Sequence, residues 1–160
     1  MFIAHLPAGY LLTDRLTRGL QRRRRLMGVG LVAAVLPDTD LLWFYLVNDR
    51  QNLHHDFLFH WPLFWVAVAA LFWILGRLAG WRDGGVVAGV ALASLLLHMV
   101  LDSVVAEIAW LAPFSDRTFG LMEVPDRHAW WVWNFILHGS FGLELAIVAL
   151  ALWTLRRNRR

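Results

Sequence analysis

The chain has 160 residues, 59% of them hydrophobic, and a mean hydropathy of +0.52, well above the roughly 45–50% apolar content of soluble domains. It has no cysteine, which excludes disulfides and thiolate metal sites and leaves His, carboxylate and water as the available ligands. The fifteen basic residues are all arginine, giving a net charge of +3; they cluster beside apolar blocks, the placement of cytoplasmic topology anchors and lipid-headgroup contacts rather than of nucleic-acid binding.

The apolar residues form long blocks instead of amphipathic periods, and such blocks approaching ~20 residues read as bilayer spans. The sequence therefore predicts an all-α fold: one integral membrane domain over residues 1–160, a polytopic bundle of four to five transmembrane helices. Residues 1–13 are apolar, with no preceding basic region and no small-residue cleavage site, unlike a secretory signal peptide. Thirteen helical residues reach only ~20 Å, short of a ~30 Å bilayer core. The expectation is a short fifth span over about 2–20, the alternative a segment that dips in and returns.

Four clearer spans follow, at 26–47, 61–78, 84–103 and 135–155. Arg22, Arg23, Arg24 and Arg25 place the start of the first in the cytoplasm. Alternation then puts the loop 54–60 outside, Arg77 and Arg82 inside, residues 104–134 outside, and the basic C-terminus (Arg156, Arg157, Arg159, Arg160) in the cytoplasm. Residues 104–134 hold Trp110, Pro113, Phe114, Pro125 and the run Trp130-Trp131-Val132-Trp133. Aromatic rings of this kind concentrate at the membrane interface, so this external segment reads as a lid or partly helical piece on the outer surface.

Within these blocks a few polar residues stand out. His98 and Asp102 are four apart in an otherwise apolar stretch, hence on one helical face one turn apart. An ionisable group in a membrane span costs at least a few kcal/mol and normally has a partner and a purpose. Asp38 and Asp40 follow Pro37, which should kink or open the helix. His54, His55, Asp56 and His60 lie in the external loop; Pro62 suits the first helical position and keeps Trp61 extended, so His60 stands just before the next helix. His5 falls at the same end if the N-terminus is outside.

Each piece also has a simpler reading. His98 could be an interhelical hydrogen-bond donor. The two aspartates could cap a helix start. The loop histidines could be interfacial. Their conjunction argues otherwise, since four segments bring His or Asp to one membrane face without a buried Lys or Arg to balance the carboxylates. Unpaired buried carboxylates would stay protonated, whereas a divalent cation removes the problem and employs the histidines. The ligand set is His5, Asp38, Asp40, His55, His60, His98 and Asp102, with His54 and Asp56 behind it. Such ligands suit Zn²⁺, Mn²⁺ or Fe²⁺, and seven side chains leave room for two ions. A metal-bound water that ionises near neutral pH makes hydrolysis the natural chemistry, at an interface where amphiphilic or phosphoester substrates reside. Two other classes remain open: a small metal-ion or proton transporter, and a non-catalytic membrane scaffold. The inner halves of the spans offer almost no polar groups for a transport path, which favours a one-sided site.

His5, the run Leu36-Pro37-Asp38-Thr39-Asp40, the pair His55 and His60, and the run Leu97-His98-Met99-Val100-Leu101-Asp102 follow one pattern in order. It resembles the bacterial family of inner-membrane-associated metal-dependent hydrolases, also labelled LexA-binding, which carries an early His, Pro-Asp-x-Asp, a His-x4-His loop and a His-x3-Asp helix. The likeness spans about two-thirds of the chain, and Trp110-Leu111-Ala112-Pro113-Phe114-Ser115-Asp116 is similar to that family's aromatic-proline segment. It implies a membrane-bound metal-dependent hydrolase in the bacterial inner membrane, multi-pass, its site facing outward. Where the family's loop usually has Arg-Gly, this chain has Asp56-Phe57; Arg117 is the candidate substitute for substrate binding.

Overall fold

A computed structural model describes residues 1, 3–41 and 57–159. Among these the chain is all-helical: α1 (His5–Leu16), α2 (Arg23–Ala33), a 3-10 turn at Pro37–Thr39, a second at Leu58–His60, α3 (Pro62–Leu78), α4 (Gly84–Asp102), the short α5 (Trp131–Ile136) and α6 (Ser140–Asn158). The candidate residues His54, His55 and Asp56 lie outside the described residues.

The local chemistry behaves as the sequence predicts around both prolines. The α2 helix stops at Ala33 and the chain re-forms as a tighter turn beginning at Pro37, because proline lacks an N–H to donate to the carbonyl of Ala33; Leu36 itself keeps helical angles. Trp61 is extended and Pro62 takes the first turn of α3, which leaves His60 as the last residue of the preceding turn.

Among the described residues the four to five transmembrane helices do not appear; one helix, α4, is long and apolar enough to cross a membrane. The reasons differ from helix to helix. With 12 and 11 residues, α1 and α2 extend only about 16–18 Å at 1.5 Å per residue. The apolar α3 has 17 residues. The 19 residues of α6 include Glu144, Arg156 and Arg157. The expected span 26–47 ends as an α-helix at Ala33, and 42–47 lie outside the described residues. The expected span 135–155 is split, with α5 closing at Ile136 and α6 opening at Ser140.

The centre of the bundle is α4, packed against α1, α2 and α3, while α6 packs on α1. Glu144 at the start of α6 meets the backbone of Ile3 and Ala4, and Asn158 at its end donates to Asp14 at 2.8 Å, so α1 and α6 run parallel. The α1–α2 crossing is close because both helices lack bulk there. A Cβ on Gly30 would fall 2.0 Å from Thr13 Oγ1, and one on Gly9 would fall 2.3 Å from Ala34 Cβ, the small-residue contact typical of membrane helices. It sets the first turn of α1 beside the Ala34–Asp38 stretch.

The core joins Ala33, Trp65, Leu95, Met99 and Ile108. Ile108 comes from the segment after α4, which is irregular, not helical. It is held by an isolated bridge to Phe119, by Leu121 N–H donating to Ser103 O at 2.8 Å, and by Trp110 Nε1–H donating to Ser103 Oγ at 2.9 Å. Leu111, Phe114, Leu121 and Trp130 from this segment are exposed.

Candidate metal centre

Three stretches of chain close on the last two turns of α4. His98 and Asp102 lie there side by side, each 1% exposed, with His98 Nε2 3.0 Å from Asp102 Oδ2. From α1, His5 stacks on His98 with ring centroids 3.8 Å apart and sets its Nε2 3.0 Å from Asp102 Oδ1. From the Pro37 turn, Asp38 Oδ1 stands 3.5 Å from His98 Nε2. One ligand atom from each of His5, Asp38, His98 and Asp102 lies within 4.8 Å of every other. The fully buried His60 adds its Nε2 at 3.6 Å from Asp102 Oδ2 and 3.9 Å from Asp38 Oδ1.

The hydrogen bonds around this group decide which ring atoms face inward. His98 Nδ1–H donates to the backbone carbonyl of Ala34 at 2.8 Å. A carbonyl only accepts, so Nδ1 carries the proton of that bond and Nε2 is the ring atom turned toward two carboxylates. His98 Nε2 is buried and makes no hydrogen bond among the described residues. His60 Nδ1 pairs with Asp40 Oδ2 at 2.6 Å, again leaving Nε2 to face the cluster. Burial disfavours a charged His60, but its contacts with Asp102 and Asp40 outweigh that and raise the imidazole to about 9. A carboxylate or carbonyl on one ring nitrogen, with the other nitrogen turned inward, is how proteins orient imidazole ligands, and a cation would have to displace the proton that the raised His60 holds.

Of the seven residues expected as ligands, the structure gathers His5, Asp38, His98 and Asp102, with His60 against them. It sets Asp40 behind His60 instead of among the four, and His55 lies outside the described residues. Arg117 is exposed and makes no ion pair with these carboxylates among the described residues; its backbone N–H donates to Ser115 Oγ. Asp38, with a third of its side chain exposed, opens the group to solvent.

Three further groups complete the surroundings, the first two without a signature in the sequence and the third a carboxylate of the expected span 135–155 that the sequence offers as a residue behind the ligands. The carbonyl of Ala34 is a backbone atom. The α-ammonium of Met1 pairs with Asp102, bringing one positive charge to a group containing Asp38, Asp40 and Asp102. The third is Glu144, buried on α6, which accepts the N–H of Ile3 and of Ala4, the latter at 3.2 Å. It thereby satisfies donors at the start of α1 that have no intrahelical partner, one residue before His5.

Residues 1–159 match the sequence model of the YdjM inner membrane protein family. No curated protein and no solved structure matches the chain.

Proposed function

The chain belongs to the YdjM inner membrane protein family, and from that premise we propose that it is a metal-dependent hydrolase of the bacterial inner membrane. The ligands in this reading are His5, Asp38, His98 and Asp102, with His60 as a fifth. One observation carries it: His98 donates its Nδ1–H to Ala34 and aims a buried Nε2 at the carboxylates of Asp102 and Asp38. A nitrogen facing two carboxylates calls for a positive charge between them, and either a proton on Nε2 or a metal cation supplies it; the second and third carboxylates of the same group favour the metal. Metal–ligand bonds of about 2.1 Å put the donors of one ion at most about 4.2 Å apart, so a spread of 4.8 Å closes on a single ion with sub-ångström movement. Zn²⁺ or Mn²⁺ suits this His and carboxylate set.

When bound, the ion would polarise a phosphoryl oxygen and lower the pKa of a water. The protein's own contribution is orientation. Ala34 and Asp40 hold the two imidazoles, and the stack of His5 on His98 fixes the third. In phosphoester hydrolysis the water oxygen bonds to phosphorus, the bond from phosphorus to the alcohol oxygen breaks, and the water proton ends on that alcohol. Asp38 lies on the open side, where substrate would enter.

The other end of the bundle carries Arg22, Arg23, Arg77, Arg82 and Arg156. By the positive-inside bias that end faces the cytoplasm and the site faces outward. Beyond the site the chain presents Met99, Leu95, Ala33 and Trp65, none of them charged, which favours a one-sided site over a transport route.

Elemental analysis of the purified protein tests the reading. One equivalent of Zn or Mn is expected in the wild type, lost in His98→Ala and Asp102→Ala together with cleavage of a soluble phosphodiester. A wild-type protein without stoichiometric metal would refute it.

A further inference from the structure

Between α2, α3 and α4 runs a cavity of about 490 Å³. Val29 and Leu36 line it from the α2 side, Trp65 and Phe72 from α3, and Ala91 and Leu95 from α4. No lining residue is charged, and the indole N–H of Trp65 already donates to Phe59 O at 2.7 Å. On α4 the lining extends from Val87 to Leu95, about 12 Å of helix. In water such a groove would be a liability. In a protein of the inner membrane it opens into a medium of acyl chains, and Val68 and Phe72 on its α3 wall are themselves among the exposed apolar residues.

The residues at one end of the groove adjoin those of the metal centre along the chain. Leu36 immediately precedes Pro37 and Asp38, Ala33 precedes the residue whose carbonyl holds His98, and Leu95 lies less than one turn before His98 on α4. An amphiphile with its polar group at Asp38 could lay a hydrocarbon tail directly along this wall. Resting on the hydrolase reading above, we propose that the substrate is a membrane phospholipid-like phosphoester whose acyl chain occupies the groove between α2, α3 and α4. The groove then selects for the chain, and the metal centre acts on the headgroup linkage.

The test fills the groove from two walls separately, with Ala91→Trp on α4 and Ala69→Phe on α3, in full-length protein reconstituted in phosphatidylglycerol/phosphatidylethanolamine nanodiscs. Cleavage of a long-chain phosphodiester lipid is compared with cleavage of bis(p-nitrophenyl) phosphate, which has no tail. The ratio of the two rates is expected to fall at least tenfold in each variant, with metal content held at the wild-type value. In the wild type, the apparent affinity for short-chain monomeric diesters should rise by up to about fourfold per methylene, the equivalent of burying one CH₂, and this dependence should flatten in the variants. An unchanged ratio in both variants overturns the groove and leaves the hydrolase standing. Wild-type protein that cleaves neither substrate overturns both. A wild-type dimer that Ala91→Trp dissolves, with the ratio unchanged, would assign the groove to a second copy and overturn the proposal.

Discussion

Asp14 and Asp102 are both carboxylates 1% exposed, at opposite ends of the same bundle, and the protein treats them differently. Asp14 is surrounded by permanent cations and donors. Arg18 binds it through Nη2 at 2.8 Å, Arg23 pairs with it from α2, and Asn158 donates to it from α6. Asp102 faces His5, His60 and His98, together with the α-ammonium of Met1. Arginine never deprotonates and cannot ligate a metal, so the Asp14 network is complete as it stands and ties α1, α2 and α6 together. Imidazoles can lose a proton and offer a lone pair. Equal exposure thus goes with a clamp at one end and, at the other, a group whose side chains are able to ligate a cation, and the difference follows from the partners rather than from the carboxylate.

The sharpest way to break this contrast is to disturb each end and read both outcomes. Asp40→Ala removes the acceptor for His60 Nδ1 without touching His5, Asp38, His98 or Asp102. Loss of an oriented partner behind a ligand typically costs about 10–100-fold in metal affinity. That loss is expected in a competition titration with a chelating indicator, while the folded protein still elutes as the wild type does. Undiminished affinity would mean that His60 is not a ligand.

Asp14→Ala is the mirror experiment. Its arginine partners have side chains 54% and 43% exposed, so water can replace the lost carboxylate at their outer atoms and solvent screening weakens the pairs. The cost is therefore nearer that of a few partly exposed charged hydrogen bonds, about 1–2 kcal/mol. It should be read as a lower thermal midpoint in detergent with full metal occupancy. If metal were lost instead, the two ends would be coupled and the division into clamp and ligand set would be wrong.

How much of this was legible beforehand depends on how local the determining physics is. The His98 and Asp102 pairing follows from helical spacing alone, Asp38 follows from the helix break that the missing N–H of Pro37 makes, and His60 from the extended Trp61 before Pro62. The whole-chain family match agrees with a composition that already indicated a membrane. What the sequence misjudged was helix length. Apolar blocks such as 26–47 looked continuous, but the backbone leaves the α form at Ala33, and hydropathy alone does not register a break set by proline geometry four residues on. Nor could composition separate the roles of Asp38 and Asp40. They differ because the turn beginning at Pro37 points one toward His98 and the other toward His60 Nδ1, a distinction made by long-range packing.

Glu144 offers the finest test, because it belongs to the metal-centre end yet works like the clamp. Its carboxylate accepts the N–H groups of Ile3 and Ala4 at the start of α1, so it holds the helix that carries His5 without being one of the four clustered ligand residues. Glu144→Gln keeps an oxygen acceptor in that position and removes only the charge facing a helix N-terminus, an interaction worth roughly 0.3–1 kcal/mol. If the whole of that change reached His5, metal affinity would fall about two- to fivefold. The same titration used for Asp40→Ala resolves such a difference, with the fall expected to stay below that of Asp40→Ala. A loss as large as that of Asp40→Ala would instead place Glu144 among the groups that face the ion. No loss at all would mean that His5 is held by its stack on His98 rather than by the capped end of α1.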